Sequence, residues 1–153
     1  MLVDFNKWAI ERVGHRPADW ELDKKLKSQF WKDVSAIVKR GEKFFGAMDP
    51  MSDALELWDY IRGYHPTILS ATGHVKTAQQ EKRQWVLDNL GSEAAASAVL
   101  VSSAADKAKY ALPSHILIDD RAKAIDPWIA AGGIGILHTS AADTIKQLKE
   151  LGL

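Results

Sequence analysis

Apolar residues in the first third of the chain recur at the spacing of an α-helix. One segment carries Phe5, Trp8, Ala9 and Val13, and a second carries Phe30, Val34, Ile37 and Val38. In each segment these positions share one helix face, which predicts an amphipathic helix. Gly14 and Gly41 follow the two patterns, as glycine often does where a helix ends. The pattern predicts that residues 4 to about 48 are helical.

From Met51 onward, helical segments alternate with short apolar runs. The runs cover residues 67–70, 98–101, 116–118 and 134–137. Short apolar runs bounded by turn residues are typical of buried parallel strands. Alternation of such strands with helices favours an α/β fold with a parallel sheet.

Capping residues predict where several of these helices begin. Ser52 is a candidate N-cap, and Thr77 with Gln80 fits a capping box. Asp126 followed by Pro127 predicts the N-cap and first turn of a helix that ends near Gly132.

Composition narrows the class of protein. The 153 residues suit one domain, and 20 basic residues balance 20 acidic residues, so no net charge favours nucleic acid or an anionic membrane. Without cysteine the chain has no disulfide and no thiolate nucleophile. No apolar run approaches the roughly 20 residues of a membrane span, and the first residues do not resemble a signal peptide. We expect a cytoplasmic protein.

Polar residues follow three of the predicted strands. The strand 67–70 ends in Ser70 with Thr72 just beyond, Lys107 follows the second strand, and Asp119 and Asp120 end the third. Carboxyl ends of parallel strands meet at one sheet edge, so we expect these groups to converge. Two carboxylates suit Mg²⁺, and a hydroxyl with a lysine suits a phosphoryl group. Each residue alone is also typical of a solvated turn, a strand end or a surface lysine.

The order of these residues resembles motifs II, III and IV of the haloacid dehalogenase (HAD) superfamily. The similarity is greatest to the 5′(3′)-deoxyribonucleotidase-like group, including its phage and bacterial members. It is carried by residues 53–57, 68–72, 106–107 and 116–137, and it extends over essentially the whole chain. It implies a single domain, residues 1–153, with a three-layer Rossmann-like core at about 49–153 and a small helical cap at about 4–48.

The resemblance also implies a role for each matched residue. Ser70 would hydrogen-bond the phosphoryl group, and Lys107 would neutralise its charge. Asp120 would coordinate Mg²⁺ directly, with Asp119 supporting that shell. The implied activity is a magnesium-dependent phosphohydrolase, a hydrolase of the 5′-nucleotidase type that acts on (deoxy)nucleoside monophosphates.

Aromatic residues of the cap are candidates for contact with the base of a nucleotide. The resemblance points to Phe5, Trp31 and Phe44 or Phe45, with Thr72 as a further substrate-binding residue. Stacking of a base on an aromatic ring is worth about 1–3 kcal/mol. The alternative, that these rings form the core of the cap, is equally open at this point.

Motif I of the group, approximately Asp-x-Asp-Gly-Val-Leu-x-Asp-Phe, is not matched. Met1 falls where its valine belongs, so the nucleophilic aspartate, the acid/base aspartate and their strand have no counterpart. A shifted motif at Asp4 would leave only three residues for the strand, and Asp4 fits better as the N-cap of the first helix. A start codon assigned too late would explain the departure.

The unmatched strand has consequences for both fold and function. In the family it lies between the strands that end here at Ser70 and Asp119. Those strands either pair directly or leave unpaired edges, which favour a homo-oligomer formed through the sheet. A small-molecule phosphate ester, such as a nucleotide, is the expected partner. The alternative to an active hydrolase is a catalytically inactive remnant that binds phosphate or nucleotide, or another protein.

Overall fold

The computed structural model describes residues 2–153, with the side chain of Glu21 excepted, as a mixed α/β protein. The helices are α1 (Phe5–Val13), α2 (Asp19–Leu22), α3 (Lys24–Lys39), α4 (Ala54–Ile61), α5 (Ala78–Leu90), α6 (Ser92–Ser97), α7 (Ala122–Ala130) and α8 (Ala141–Glu150). The strands are β1 (Leu69–Ala71), β2 (Val99–Val101), β3 (Ile116–Asp119) and β4 (Ile134–Leu137). Short 3-10 helices cover Phe45–Ala47, Arg62–Tyr64 and Ala105–Tyr110. Among the described residues, no helix combines the length and apolar character that crossing a bilayer requires.

The strands form two small parallel sheets. β1 pairs with β2, with Ser70 opposite Leu100, and β3 pairs with β4, with Ile118 opposite Ile136. Within residues 2–153 no strand pairing joins β1 to β3, so the strands that end near Ser70 and Asp119 do not close up against each other. Leu69 of β1 nevertheless packs against the buried cluster that includes Leu117 of β3. The two sheets are therefore neighbours in the core.

The N-terminal third is helical, as its apolar spacing predicts. The carboxylate of Asp4 accepts a hydrogen bond from the backbone N–H of Lys7 at 2.9 Å, which confirms Asp4 as the N-cap of α1. Gly14 ends α1 with a φ of 81°, a conformation that glycine adopts without strain. The predicted helix faces form one buried cluster, which contains Trp8, Ala9, Phe30, Val34, Ile37, Phe44 and Met48.

Several helix starts differ from the prediction. α7 begins at Ala122, so Asp126 and Pro127 lie inside it instead of at its start. Burial of Ala124, Ile125 and Trp128 against the sheet holds this helix together despite the N–H that proline lacks. The N-cap position of α4 is Asp53, one residue beyond Ser52, and the Asp53 side chain makes no capping hydrogen bond to the helix.

Thr77 does precede α5, but the capping box with Gln80 does not form. The Thr77 hydroxyl makes no side-chain cap and, within the described chain, is buried without a hydrogen-bond partner. Helix α6 was not predicted, since its sequence Ser-Glu-Ala-Ala-Ala-Ser has no apolar period.

We expect Gly133→Ala to destabilise the fold markedly. A Cβ on Gly133 would overlap Nε1 of Trp128 and lie 2.7 Å from its Cδ1, and this indole is only 3% exposed. Moving the indole would also break its hydrogen bond to the carbonyl of His115, 3.3 Å long. Overpacking of this kind costs about 1–3 kcal/mol, which lowers the melting temperature by about 2–4 °C per kcal/mol in a protein of this size.

Gly63→Ala is the matched control for this substitution. Gly63 is exposed, no atom lies within 4 Å of its added Cβ, and its φ is not positive. Thermal unfolding should therefore leave Gly63→Ala close to the wild type. Equal melting temperatures for the two variants would show that Trp128 relaxes without cost.

Candidate functional site

Pairing between strands continues past the carboxyl ends of both sheets. The backbone N–H of Thr72 donates to the carbonyl of Val101 at 2.9 Å, and the Thr72 hydroxyl donates to the same oxygen at 3.2 Å. In the other sheet the N–H of His138 donates to the carbonyl of Asp119 at 2.8 Å. Thr72 and Asp119 thus lie at carboxyl ends of parallel strands, as the sequence predicts. Ser70, predicted to end its strand, is instead the middle residue of β1.

Lys107 and Asp119 form a buried ion pair. The 3-10 helix Ala105–Tyr110 brings the Lys107 ammonium into hydrogen-bonding contact with Oδ2 of Asp119, and the two residues are only 8% and 6% exposed. Oδ1 of the same carboxylate accepts the backbone N–H of Arg121 at 3.0 Å. Both oxygens of Asp119 are therefore engaged by the chain itself.

A second lysine, Lys82 of α5, reaches the end of β1. Its Nζ donates to Oγ of Ser70 at 3.0 Å and to the carbonyl of Ala71 at 2.6 Å. The same nitrogen lies 4.2 Å from the ring centre of Phe45. Ser70 is therefore hydrogen-bonded to Lys82, whereas Lys107 forms its ion pair with Asp119.

Lys82 is not among the predicted site residues, although the sequence contains a signal for it. Lys82 lies four residues after Ala78 and four before Val86, and both of these are buried. A lysine on the apolar face of a helix is costly unless polar groups meet it there. That position marks Lys82 as unusual among the lysines of the chain.

The surroundings of Lys82 make its ammonium less stable than that of an ordinary lysine. Burial lowers the pKa of Lys82 to about 8, and repulsion from Lys107 and Arg121 adds to this effect while Asp119 opposes it. Lys107 and Arg121 are thus close enough to Lys82 to repel its ammonium, with Asp119 offsetting part of that repulsion. An anion bound beside Lys82 would favour its protonated form.

The acidic pair fits a magnesium ion poorly on its own. Asp119 is engaged by Lys107 and Arg121, so an ammonium already occupies the place a cation would take. Burial acts to raise the pKa of Asp120, but hydrogen bonds and nearby positive charge, Arg121 included, hold it below its usual value. Across the part of the chain that the structure describes, no group of three or more histidine or acidic side chains is arranged to hold a metal.

Asp53 and His138 both contact α8 close to the end of β4. Oδ2 of Asp53 accepts the backbone N–H of Ala141 at 2.7 Å, which fixes α4 against the start of α8. Nδ1 of His138 lies 2.8 Å from Oγ1 of Thr144, and burial lowers the pKa of His138 although the charges of Asp53 and Asp120 oppose this. Their contacts give both residues a structural part in holding α8 against the sheet.

Three of the candidate aromatic residues, Phe5, Phe44 and Phe45, belong to the core of the N-terminal helical region, whereas Trp31 lies at its surface. Phe44 is fully buried, Phe5 is half-buried, and Trp31 is 40% exposed. The ring centre of Phe44 lies 6.2 Å from those of Phe5 and Trp31 and 4.4 Å from that of Phe45. Phe45 therefore connects this cluster to Lys82, whereas Phe44 offers no surface to a ligand.

No protein-family model, curated protein or solved structure matches this chain significantly. The resemblance to the HAD superfamily therefore rests on the motifs themselves. The site itself brings two lysines, an arginine and two hydroxyl groups to the carboxyl ends of parallel strands. These are Lys82, Lys107, Arg121, Ser70 and Thr72.

Proposed function

We propose that this sheet edge binds the phosphate group of a small-molecule phosphate ester, and that a nucleotide is the ester. The observation that carries the proposal is the hydrogen bond between Nζ of Lys82 and Oγ of Ser70 at the end of β1. Ammonium, guanidinium and hydroxyl groups are the side chains that bind phosphate oxygens best. Lys82, Arg121 and Ser70 supply one of each.

Electrostatics gives the reason for binding. Burial is the main cause of the lowered pKa of Lys82, and the positive charges of Lys107 and Arg121 lower it further. A phosphate dianion would stabilise these charges, so the bound state favours the protonated lysine. When the pKa of a group rises on binding, the group contributes its full share of the affinity at pH values below its pKa in the free protein. That contribution declines as the pH rises above this value. Phosphate affinity should therefore fall as the pH rises through about 8, the pKa of Lys82. Below about pH 6 it should fall again, because phosphate monoesters lose their second charge there.

The two separate sheets support membership of a HAD-like fold as part of the same proposal. If β1 and β3 are the facing strands of the two sheets, the order β2-β1, then β3-β4, would be that of a Rossmann-like sheet on either side of an unmatched central strand. In this arrangement Ser70 and Asp119 would flank the position of motif I.

Binding has more support than turnover. The covalent route to phosphate hydrolysis requires a carboxylate nucleophile. Three candidate carboxylates are already engaged: Asp4 caps α1, Asp53 binds the N–H of Ala141, and Asp119 pairs with Lys107. We therefore favour a phosphate-binding module. Magnesium-dependent nucleotidase activity is implied only by the resemblance to the HAD superfamily, and the proposed phosphate binding does not require Mg²⁺.

Calorimetric titration at pH 7 with inorganic phosphate and with deoxynucleoside monophosphates tests the proposal. We expect saturable binding that Lys82→Met weakens by roughly 10- to 100-fold, because a hydrogen bond to a charged group contributes about 1.5–3 kcal/mol. Ser70→Ala should weaken binding by a few fold. Lys146→Met, on the exposed face of α8, is the matched control and should leave the affinity unchanged.

Two results would contradict the proposal. One is the absence of saturable binding to the wild type. The other is an equal loss of affinity in Lys82→Met and Lys146→Met, since the attraction would then come from overall charge and not from this site.

A further inference from the structure

Lys82 differs from other lysines of the chain in having polar contacts but no carboxylate partner. Lys107 pairs with Asp119, Lys7 with Asp49 and Lys109 with Asp106, whereas no ion pair among the described residues includes Lys82. Its amine is held by Oγ of Ser70 and the carbonyl of Ala71, and it faces the ring of Phe45. The residue as a whole is partly exposed.

We propose that Lys82 is a nucleophilic lysine and that this site takes aldehydes that carry a phosphate group, which it binds covalently as imines. The inference rests on the proposed phosphate site, because Lys107 and Arg121 would attract the anionic end of such a molecule. The aldehyde carbon would then lie near the amine. Ser70, which is hydrogen-bonded to that amine, is placed to relay protons.

The covalent step balances without any further reactant. The lone pair of the neutral amine forms a bond to the carbonyl carbon, and the π electrons move to the carbonyl oxygen, which takes a proton. The resulting carbinolamine then loses that oxygen as water. Both hydrogens of the amine end in the water molecule, and a C=N bond to Lys82 remains.

The charges around Lys82 favour this chemistry at moderate pH. Burial is the main reason that its pKa is about 8, with Lys107 and Arg121 lowering it further and Asp119 opposing them. In the free protein at pH 8 about half of such a lysine is neutral, against about 0.4% for a lysine with an unperturbed pKa near 10.4. Hydrogen bonds to Asp49 and Asp106 raise the pKa of Lys7 and Lys109, which makes these two lysines internal references.

The test is labelling of the full chain with pyridoxal 5′-phosphate at pH 8, followed by reduction of the imine with borohydride and peptide mass spectrometry. We expect Lys82 to be labelled at least tenfold faster than Lys7 and Lys109. Pyridoxal, which lacks the phosphate, should label Lys82 several-fold more slowly, and inorganic phosphate should protect it. Lys82→Arg removes the primary amine, so the label at this position should be lost.

Labelling of Lys82 no faster than Lys7 and Lys109 would overturn the inference, even if calorimetry shows phosphate binding. Fast labelling that is equal for pyridoxal and its phosphate, and that phosphate does not prevent, would instead overturn the phosphate site. Lys146→Met should be labelled at Lys82 like the wild type. A loss of labelling in that variant would assign the reactivity to overall charge.

Discussion

Asp119→Ala should lower the free energy of unfolding by about 3–5 kcal/mol, as expected when one partner of a buried ion pair is removed. The substitution leaves the Lys107 ammonium, in a residue that is 8% exposed, without its carboxylate. It also removes the acceptor for the backbone N–H of Arg121. Urea denaturation followed by circular dichroism measures the change.

The double variant Lys107→Met with Asp119→Leu is the matched control. Replacing both charges by apolar side chains of similar size is often neutral or stabilising, because neither charge then has to be desolvated. We expect the double variant to be more stable than Asp119→Ala alone. Equal stabilities for these two variants would mean that water reaches Lys107 and that the pair is not a buried one.

Phe44→Ala should cost about 3–5 kcal/mol of stability, as truncation of a buried phenylalanine usually does. The Phe44 side chain is fully buried, and its ring lies 4.8 Å from that of Trp8 and 6.4 Å from that of Phe30. Trp31→Ala is the matched aromatic control, and it should cost clearly less because Trp31 is 40% exposed. Thermal unfolding of both variants, side by side, gives the comparison.

A conservative variant, Phe44→Leu, separates a core role for Phe44 from a ligand-binding one. If Phe44 acts only through the core, Phe44→Leu should bind deoxynucleoside monophosphates as the wild type does. Unchanged stability together with weakened nucleotide binding would instead restore Phe44 as a contact for the base.

A contact between the helical region and α5 explains how the aromatic cluster comes to meet Lys82. Oε2 of Glu81 accepts the backbone N–H groups of Phe44 and Gly46, at 2.8 and 3.0 Å. Glu81 is the neighbour of Lys82 in α5, so the same turn of helix that positions the lysine also fixes the loop bearing Phe45. Nothing in the local sequence around Glu81 indicates this partner, which lies 35 to 37 residues away.

Features that depend on neighbouring residues could be predicted from the sequence. The spacing of apolar residues predicts the buried faces of α1 and α3, and a side-chain acceptor before a helix predicts the cap at Asp4. Short apolar runs predict all four strands. They also place Asp119 at a carboxyl end, because parallel strands share one direction, whereas Ser70 lies one residue before the end of β1.

Features that depend on distant partners were decided by the tertiary structure. Lys82 binds Ser70 only because the fold brings this turn of α5 within hydrogen-bonding distance of β1, and Lys107 pairs with Asp119 only because a 3-10 helix turns it inward. Pro127 is tolerated inside α7 because burial of Trp128 and Ile125 outweighs one missing hydrogen bond. Periodicity and capping act over a few residues, whereas the partner that a buried charge acquires depends on how whole elements pack.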